Sequence, residues 1–200
     1  MLWQGLHGLP NGPVVLPDMA TQHLQDAGVE HPVTAVLLNY RAWDTLLELV
    51  VLLLALLGVR QARPPHQMTP APWPLLLAWT RVLVPLTVLV GGYVLWRGAF
   101  APGGAFQAGA VLAAGAVALR LCRVLPPISW RHLWVRVLII GGLAVFCVVG
   151  VMSVVWGEGW LTYPRAWAGA MILSIEVAAT VSIATTLTLL VVGEEEELWS

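Results

Sequence analysis

Beyond residue 73 the chain is dominated by four long apolar runs: Pro74 to Trp96, Ala105 to Leu121, Trp134 to Trp156 and Ala166 to Val192. An α-helix needs about 20 apolar residues to cross a hydrocarbon core of roughly 30 Å. Inside that core only helices and closed barrels satisfy their own backbone groups, so runs of this length predict membrane helices. A fifth run, Leu46 to Val59, is short for a crossing by itself. It is expected to begin further upstream, near Val33 or Ala42, and to carry polar residues into the bilayer. The composition agrees: 58% of residues are hydrophobic, 10% are charged and the mean hydropathy is +0.80, whereas soluble domains are about 25% charged. The predicted fold class is an all-α integral membrane protein of about five transmembrane helices, with no room for a separate soluble catalytic domain.

Charge sets the expected orientation. The ten basic residues are all Arg, none is Lys, and the formal charge is -1, a balance that offers no basic field for nucleic acid. Arg60, Arg63, Arg120, Arg123, Arg131 and Arg136 cluster in or beside the connections after spans one and three, and Arg41, Arg97 and Arg165 fall on the other side. By the positive-inside rule the first group is cytoplasmic, which predicts an N-out, C-in chain. The organisation expected is an outer-side segment over 1–32, a first transmembrane segment over 33–60, a Pro-rich cytoplasmic connection over 61–73, a four-helix membrane domain over 74–192 and an acidic cytoplasmic tail over 193–200. Trp73, Trp79, Trp96, Trp134, Trp156, Trp160 and Trp167 lie near span ends, where amphipathic rings anchor at headgroup level. The N-terminus lacks the basic and apolar regions of a secretory signal.

Signals for soluble chemistry are missing. Cys122 and Cys147 sit in apolar surroundings and read as small hydrophobes. His7, His23, His31, His66 and His132 are scattered, there is no Gly-x-Ser-x-Gly elbow, and Pro102-Gly103-Gly104 has no Lys behind it. Those glycines read as a tight turn between spans two and three. No catalytic residue, metal or cofactor is expected.

Three ionisable groups fall inside apolar runs, each costing a few kcal/mol or more (roughly) if it faced lipid. Arg41, Asp44 and Glu48 project within about 60° of one another on a helix, a face unsuited to lipid; Asp44 and Arg41 also fit an interfacial salt bridge, whereas Glu48 lies a further turn inward. Glu176 lies ten residues past Ala166, roughly 15 Å along a helix. There it must carry a proton, meet a cation from another helix or line hydrated space. Arg81 is close enough to the cytoplasmic side to snorkel; facing inward, it would be a counter-charge. Ser174, Thr180, Ser182, Thr185, Thr186 and Thr188 form no single stripe and are expected to bond to the preceding turn or to a neighbouring helix.

Two stretches resemble known families. The segment His31 to Glu48, with Asn39-Tyr40-Arg41-Ala42-Trp43-Asp44-Thr45-Leu46-Leu47-Glu48 at its end, resembles the Asp-Phe-Arg-x-Phe-Asp-Thr-x-Gly-Glu signature near the C-terminal end of the A subunit of Mrp-type cation/proton antiporters, a module that also occurs as a small subunit of membrane-bound hydrogenases. Residues 76–192, centred on Arg97-Gly98-Ala99-Phe100-Ala101-Pro102-Gly103-Gly104-Ala105-Phe106-Gln107, look like the MnhB/MrpB family, whose turn reads His-x-x-Pro-Gly-Gly-Gly-Phe-Gln. This chain departs from those patterns at Asn39, Leu47, Ala99 and Ala105; where relatives move protons on the turn histidine, this chain lacks that step.

The resemblance implies a small multi-pass subunit, in the inner (plasma) membrane, of a multisubunit complex exchanging Na⁺ for H⁺. Glu48, Asp44, Arg41 and Glu176 are its ion or proton pathway candidates, with Arg81 as a possible counter-charge. Antiporter-like subunits of this kind resemble one another in carrying intramembrane Lys and Glu partners; a chain without Lys depends on other subunits for that axis. Two alternatives stay open: the same module in a redox-driven, hydrogenase-like ion pump, and a structural adaptor packed through the small residues of span three.

Overall fold

A computed structural model describes residues 42–62, 74–126, 128–156, 160–161, 163 and 167–193. Arg41, the segment before it, the Pro-rich connection and the acidic tail lie outside the described residues. Five helices follow in order: α1 (Ala42–Ala62), α2 (Pro74–Arg97), α3 (Ala105–Leu121), α4 (Leu133–Trp156) and α5 (Ala168–Val192). All but α3 are long and apolar enough to cross a membrane, and α3 is a shorter apolar helix of 17 residues. The protein is an all-α integral membrane protein, and the helices begin and end within a few residues of the apolar runs. The start of α5 falls two residues later than the run predicts, because Trp167 precedes the first helical residue.

Each terminus has a local cause. The α2–α3 connection closes on itself: the Gly98 N–H is shared between the Val94 and Leu95 carbonyls, and the Gly104 N–H reaches back to the Val94 carbonyl at 3.2 Å. Gly104, with φ 120° and ψ −172°, opens α3 in a conformation essentially restricted to glycine. At its far end α3 stops where Arg123 turns to φ 56°, and α5 stops at Gly193, φ 77°, whose N–H bonds the Leu189 carbonyl. Pro85 inside α2 removes one backbone donor; nearby, Thr80 and Thr87 donate to the Leu77 and Val84 carbonyls, both at 2.8 Å.

Helix α5 is the centre of the bundle. It packs on α3 and α4, while α1 lies against α4 and α5 and α2 packs mainly on α3. The main core joins Leu49 of α1, Phe146 and Val149 of α4 and Ile172, Ile175, Ala179 and Ile183 of α5. A second cluster of Leu56, Val135, Ile139 and Leu189 closes the other end. Small residues set the spacing, as in many membrane bundles: Ala108, Gly109, Ala113 and Gly115 of α3 are buried. In contrast α2 buries only Thr80 and Gly91.

Two aromatic contacts fix α1 at its ends. Trp43 stacks on Trp160 with centroids 5.5 Å apart, and the Arg60 guanidinium lies 4.5 Å from the Trp130 ring. Trp160 also packs within the bundle. Its ring covers Gly150, where a Cβ would lie 2.6 Å from it. Behind it the Leu161 N–H donates to Ser153 Oγ at 2.6 Å, and the buried Tyr163 joins the core; burial pushes its phenol above the ordinary range, so it stays neutral.

Five of the six hydroxyls singled out in this helix bond as expected from the sequence. Ser174, Thr180, Thr185 and Thr188 donate to carbonyls of their own preceding turn, whereas Ser182 donates across to the Ile139 carbonyl of α4. Such interhelical bonds in membranes are worth about 0.6–2 kcal/mol. Ser182→Ala should therefore lower the melting temperature of the solubilised protein by a few degrees and Thr185→Ala should not, a difference readable by differential scanning fluorimetry.

Candidate functional site

Glu176 follows Ala168 by eight residues, which places it about 12 Å along α5. It is 5% exposed, and among the described residues no hydrogen bond or ion pair holds its carboxyl group. What faces it is the beginning of α3: a Cβ built on Gly104 would lie 3.5 Å from Glu176 Oε1 and 3.8 Å from Gln107 Oε1. The first intrahelical bond of α3 is the Ala108 N–H to the Gly104 carbonyl, and Gly104 has no side chain to cap the turn. The N–H groups of Ala105, Phe106 and Gln107 are thus the unsatisfied donors that open every α-helix. They carry the positive end of the helix dipole, which favours a nearby anion by roughly 0.3–1 kcal/mol.

The site arises because the α2–α3 turn is sunk beside α5. Both Gly103 and Gly98 are needed for that closure: a Cβ on Gly103 would lie 2.6 Å from the Val94 carbonyl oxygen, and one on Gly98 would lie 2.8 Å from the Gly104 Cα. Pro102 is exposed at the tip of the turn and Gly104 is buried at its base. The Glu176 carboxyl group therefore lies beside the first turn of α3 and the Gln107 side-chain amide, near groups that can donate to a carboxylate and one that can accept from a carboxylic acid.

The structure joins Glu176 to Gly104 but does not bring Glu48 to it. Asp44 is half-buried and Glu48 is exposed. Their shared face flanks the buried side of α1, formed by Ala42, Thr45, Leu49 and Leu56, and does not enter the core. Arg81 is exposed on α2 and faces neither acid from within the bundle. Two residues escaped the reading of the sequence. Gln107 entered only as part of the turn motif and not as a site residue, and Arg120, counted only as a cytoplasmic charge, is 8% exposed and donates to the Leu125 carbonyl at 2.7 Å.

Fold and site together define a multi-pass membrane subunit built around a buried acid and a glycine turn. Residues 75–194 match the family model described as a domain related to the MnhB subunit of Na⁺/H⁺ antiporters, and the chain belongs to that family. Among solved structures it is similar to a chain of the membrane-bound sulfane sulfur reductase, an archaeal respiratory membrane complex, at 26% identity and a TM-score of 0.76, covering 98% of this chain and 93% of that one. It is also similar in fold to a chain of the Mrp complex from Dietzia sp. DQ12-45-1b, at 24% identity and a TM-score of 0.70; 98% of this chain is covered but 25% of that one. No curated protein sequence matches it significantly.

Proposed function

We propose that this chain is an integral membrane subunit of a multisubunit monovalent cation/proton antiporter-type complex, contributing to an ion or proton route and to subunit assembly. Its partners are other subunits of such a complex, the lipid bilayer, and Na⁺ and H⁺ as the transported ions. The chain performs no catalysis of its own, and lies in the inner (plasma) membrane with its N-terminus outside. Residues 33–60 act as the A-subunit-like module and 74–192 as the MnhB-like unit.

The observation that carries this reading is the Glu176 carboxyl group, buried in a membrane helix beside the open N-terminus of α3, with no ion pair among the described residues. Keeping such a group in the bilayer costs several kcal/mol (roughly) unless it is used or accompanied. A proton-exchanging carboxyl fits both the donors of the α3 turn and the Gln107 acceptor. Glu48, with Asp44 and Arg41 beside it, serves the outer approach to the route, and Arg81 is a counter-charge for a neighbouring subunit.

In everted vesicles carrying the whole complex, Glu176→Gln is expected to reduce Na⁺/H⁺ exchange at least tenfold, and Glu48→Gln to reduce it severalfold, with assembly intact. Full exchange in both variants overturns the ion-route reading and leaves a structural adaptor. The match along nearly the whole length of a respiratory-complex chain favours a second reading, in which the same subunit serves a redox-driven ion pump. Ion movement that requires an electron donor, with no exchange in its absence, selects that machine.

A further inference from the structure

We infer that water reaches Glu176 from one side of the membrane only, through a recess that opens at the α2–α3 turn and ends at the carboxyl group. This presupposes the ion-route reading of Glu176 and adds to it the side from which the group is loaded.

Helix register outlines the recess. Gly104 faces Glu176, and Gly109 faces Thr180 and Ile183, so α3 begins level with Glu176 and about 12 Å below the start of α5. Gly169 and Leu173 lie above Glu176 on the same face of α5, within about 60° of arc, and both are exposed. Thr180 and Ile183 lie below it on that face and are buried. Exposure therefore stops at Glu176. The described part of the α4–α5 connection lies elsewhere: Trp160 covers Gly150 and stacks on Trp43, and the Leu161 N–H donates to Ser153 Oγ.

Groups at the level of the turn call for water. Helix α5 is about 37 Å long, and centred in a hydrocarbon core of roughly 30 Å it puts the turn about 8 Å inside that core. Non-helical backbone at such depth is tolerated only where protein buries it or where it lines a water-filled cavity. Phe100 and Pro102 of the turn are exposed. So are Gln107 and Arg97, whose guanidinium donates to the Tyr93 hydroxyl one turn further in, at 3.1 Å. The far end of the hairpin agrees. Gly91 meets Leu112 and Gly115 meets Thr87, which sets Arg81 level with the end of α3. About 24 Å along α2 separates Arg81 from Arg97, less than the core thickness. A span this short thins the bilayer around it, which brings the polar phase down to the turn.

Below Glu176 the recess is closed. A Cβ on Gly109 would lie 2.8 Å from Ile183 Cγ2 and 3.1 Å from the Thr180 carbonyl oxygen, so α3 and α5 touch across a glycine. Ala108, Ala113 and Ala179 along this seam are buried. A proton taken up at Glu176 therefore leaves by the recess or passes to a group outside the α3–α5 seam.

Single cysteines test this in vesicles carrying the whole complex, with Cys122 and Cys147 replaced by alanine. The probe is a charged, membrane-impermeant methanethiosulfonate, which reacts with the thiolate and so reports hydrated positions. Phe100→Cys marks the side of the turn. Leu173→Cys and Glu176→Cys are expected to react from that same side at least tenfold faster than from the other, in right-side-out against everted vesicles, and Ile183→Cys from neither. Unreactive Leu173→Cys and Glu176→Cys beside a reactive Phe100→Cys overturn the inference, as do equal rates from both sides or a reactive Ile183→Cys. Leu173 is exposed, so its variant keeps the test valid should Glu176→Cys fail to assemble. Labelling does not depend on ion exchange: the ion-route reading fails only in the Glu176→Gln assay, and the face on which Phe100→Cys reacts checks the orientation of the chain separately.

Discussion

Replacing Gly109 with leucine is expected to remove the chain from the assembled complex. Gly109 is where α3 meets α5: a Cβ there would lie 2.8 Å from Ile183 Cγ2, 2.9 Å from Ile183 Cβ and 3.1 Å from the Thr180 carbonyl oxygen. The last two atoms are fixed to the α5 backbone, so the methylene has no flexible neighbour to displace, and leucine adds three further carbons. Overpacking of this kind costs about 1–3 kcal/mol and occasionally more. Because α5 also carries the α4 and α1 contacts, a wedge between α3 and α5 disturbs the whole bundle. Size-exclusion chromatography of the tagged complex in mild detergent should recover less than a tenth of the wild-type amount. The comparison is Gly141→Leu on α4, where a Cβ meets nothing within 4 Å; that variant should assemble normally. Equal recovery of the two would show that the α3–α5 seam does not hold the bundle.

The contrast between these two glycines shows what the sequence conveys and what it withholds. Span positions were legible because a bilayer of fixed thickness turns run length into helix length, and the Pro102-Gly103-Gly104 turn was legible from its residues. Which way each helix faces was not. An amphipathic helix announces its buried side, but a helix apolar all round does not. Periodicity therefore placed Asp44 and Glu48 on one face of α1 without saying that the face lies beside the core and not in it. For the same reason Gly109 and Gly141 look alike in sequence, although one lies under Ile183 and the other in the open.

The acid site was half legible. Glu176 stood out as a charge deep in an apolar run, and its isolation demanded a partner. The partner came from a turn far away in the chain, positioned only once α3 and α5 pack side by side, and no local spacing could supply it. Gln107 was visible only as the last residue of the family-like turn motif, and nothing in its local spacing pointed to Glu176. The burial of Arg120 was not legible for a related reason: the turn through Arg123 brings the Leu125 carbonyl back over the end of α3, and sequence does not show that fold-back.

Gly104→Ala should separate the turn's geometry from the acid's chemistry. At φ 120° and ψ −172° a side chain costs roughly 1–3 kcal/mol. The added methyl itself would be only in ordinary contact, 3.5 Å from Glu176 Oε1 and 3.8 Å from Gln107 Oε1. The damage is therefore to the backbone: the residue must leave this conformation, and the first turn of α3 moves with it, taking the unsatisfied N–H groups away from Glu176. We expect the complex to assemble, with a melting temperature lowered by a few degrees, while exchange in everted vesicles falls about tenfold, a change of roughly 1.4 kcal/mol. If Glu176 works through that helix N-terminus, adding Glu176→Gln to Gly104→Ala should cost little more than Glu176→Gln alone, because both changes disable one unit. Fully additive losses would place the carboxyl group's work elsewhere and reduce the turn to a structural hinge between α2 and α3.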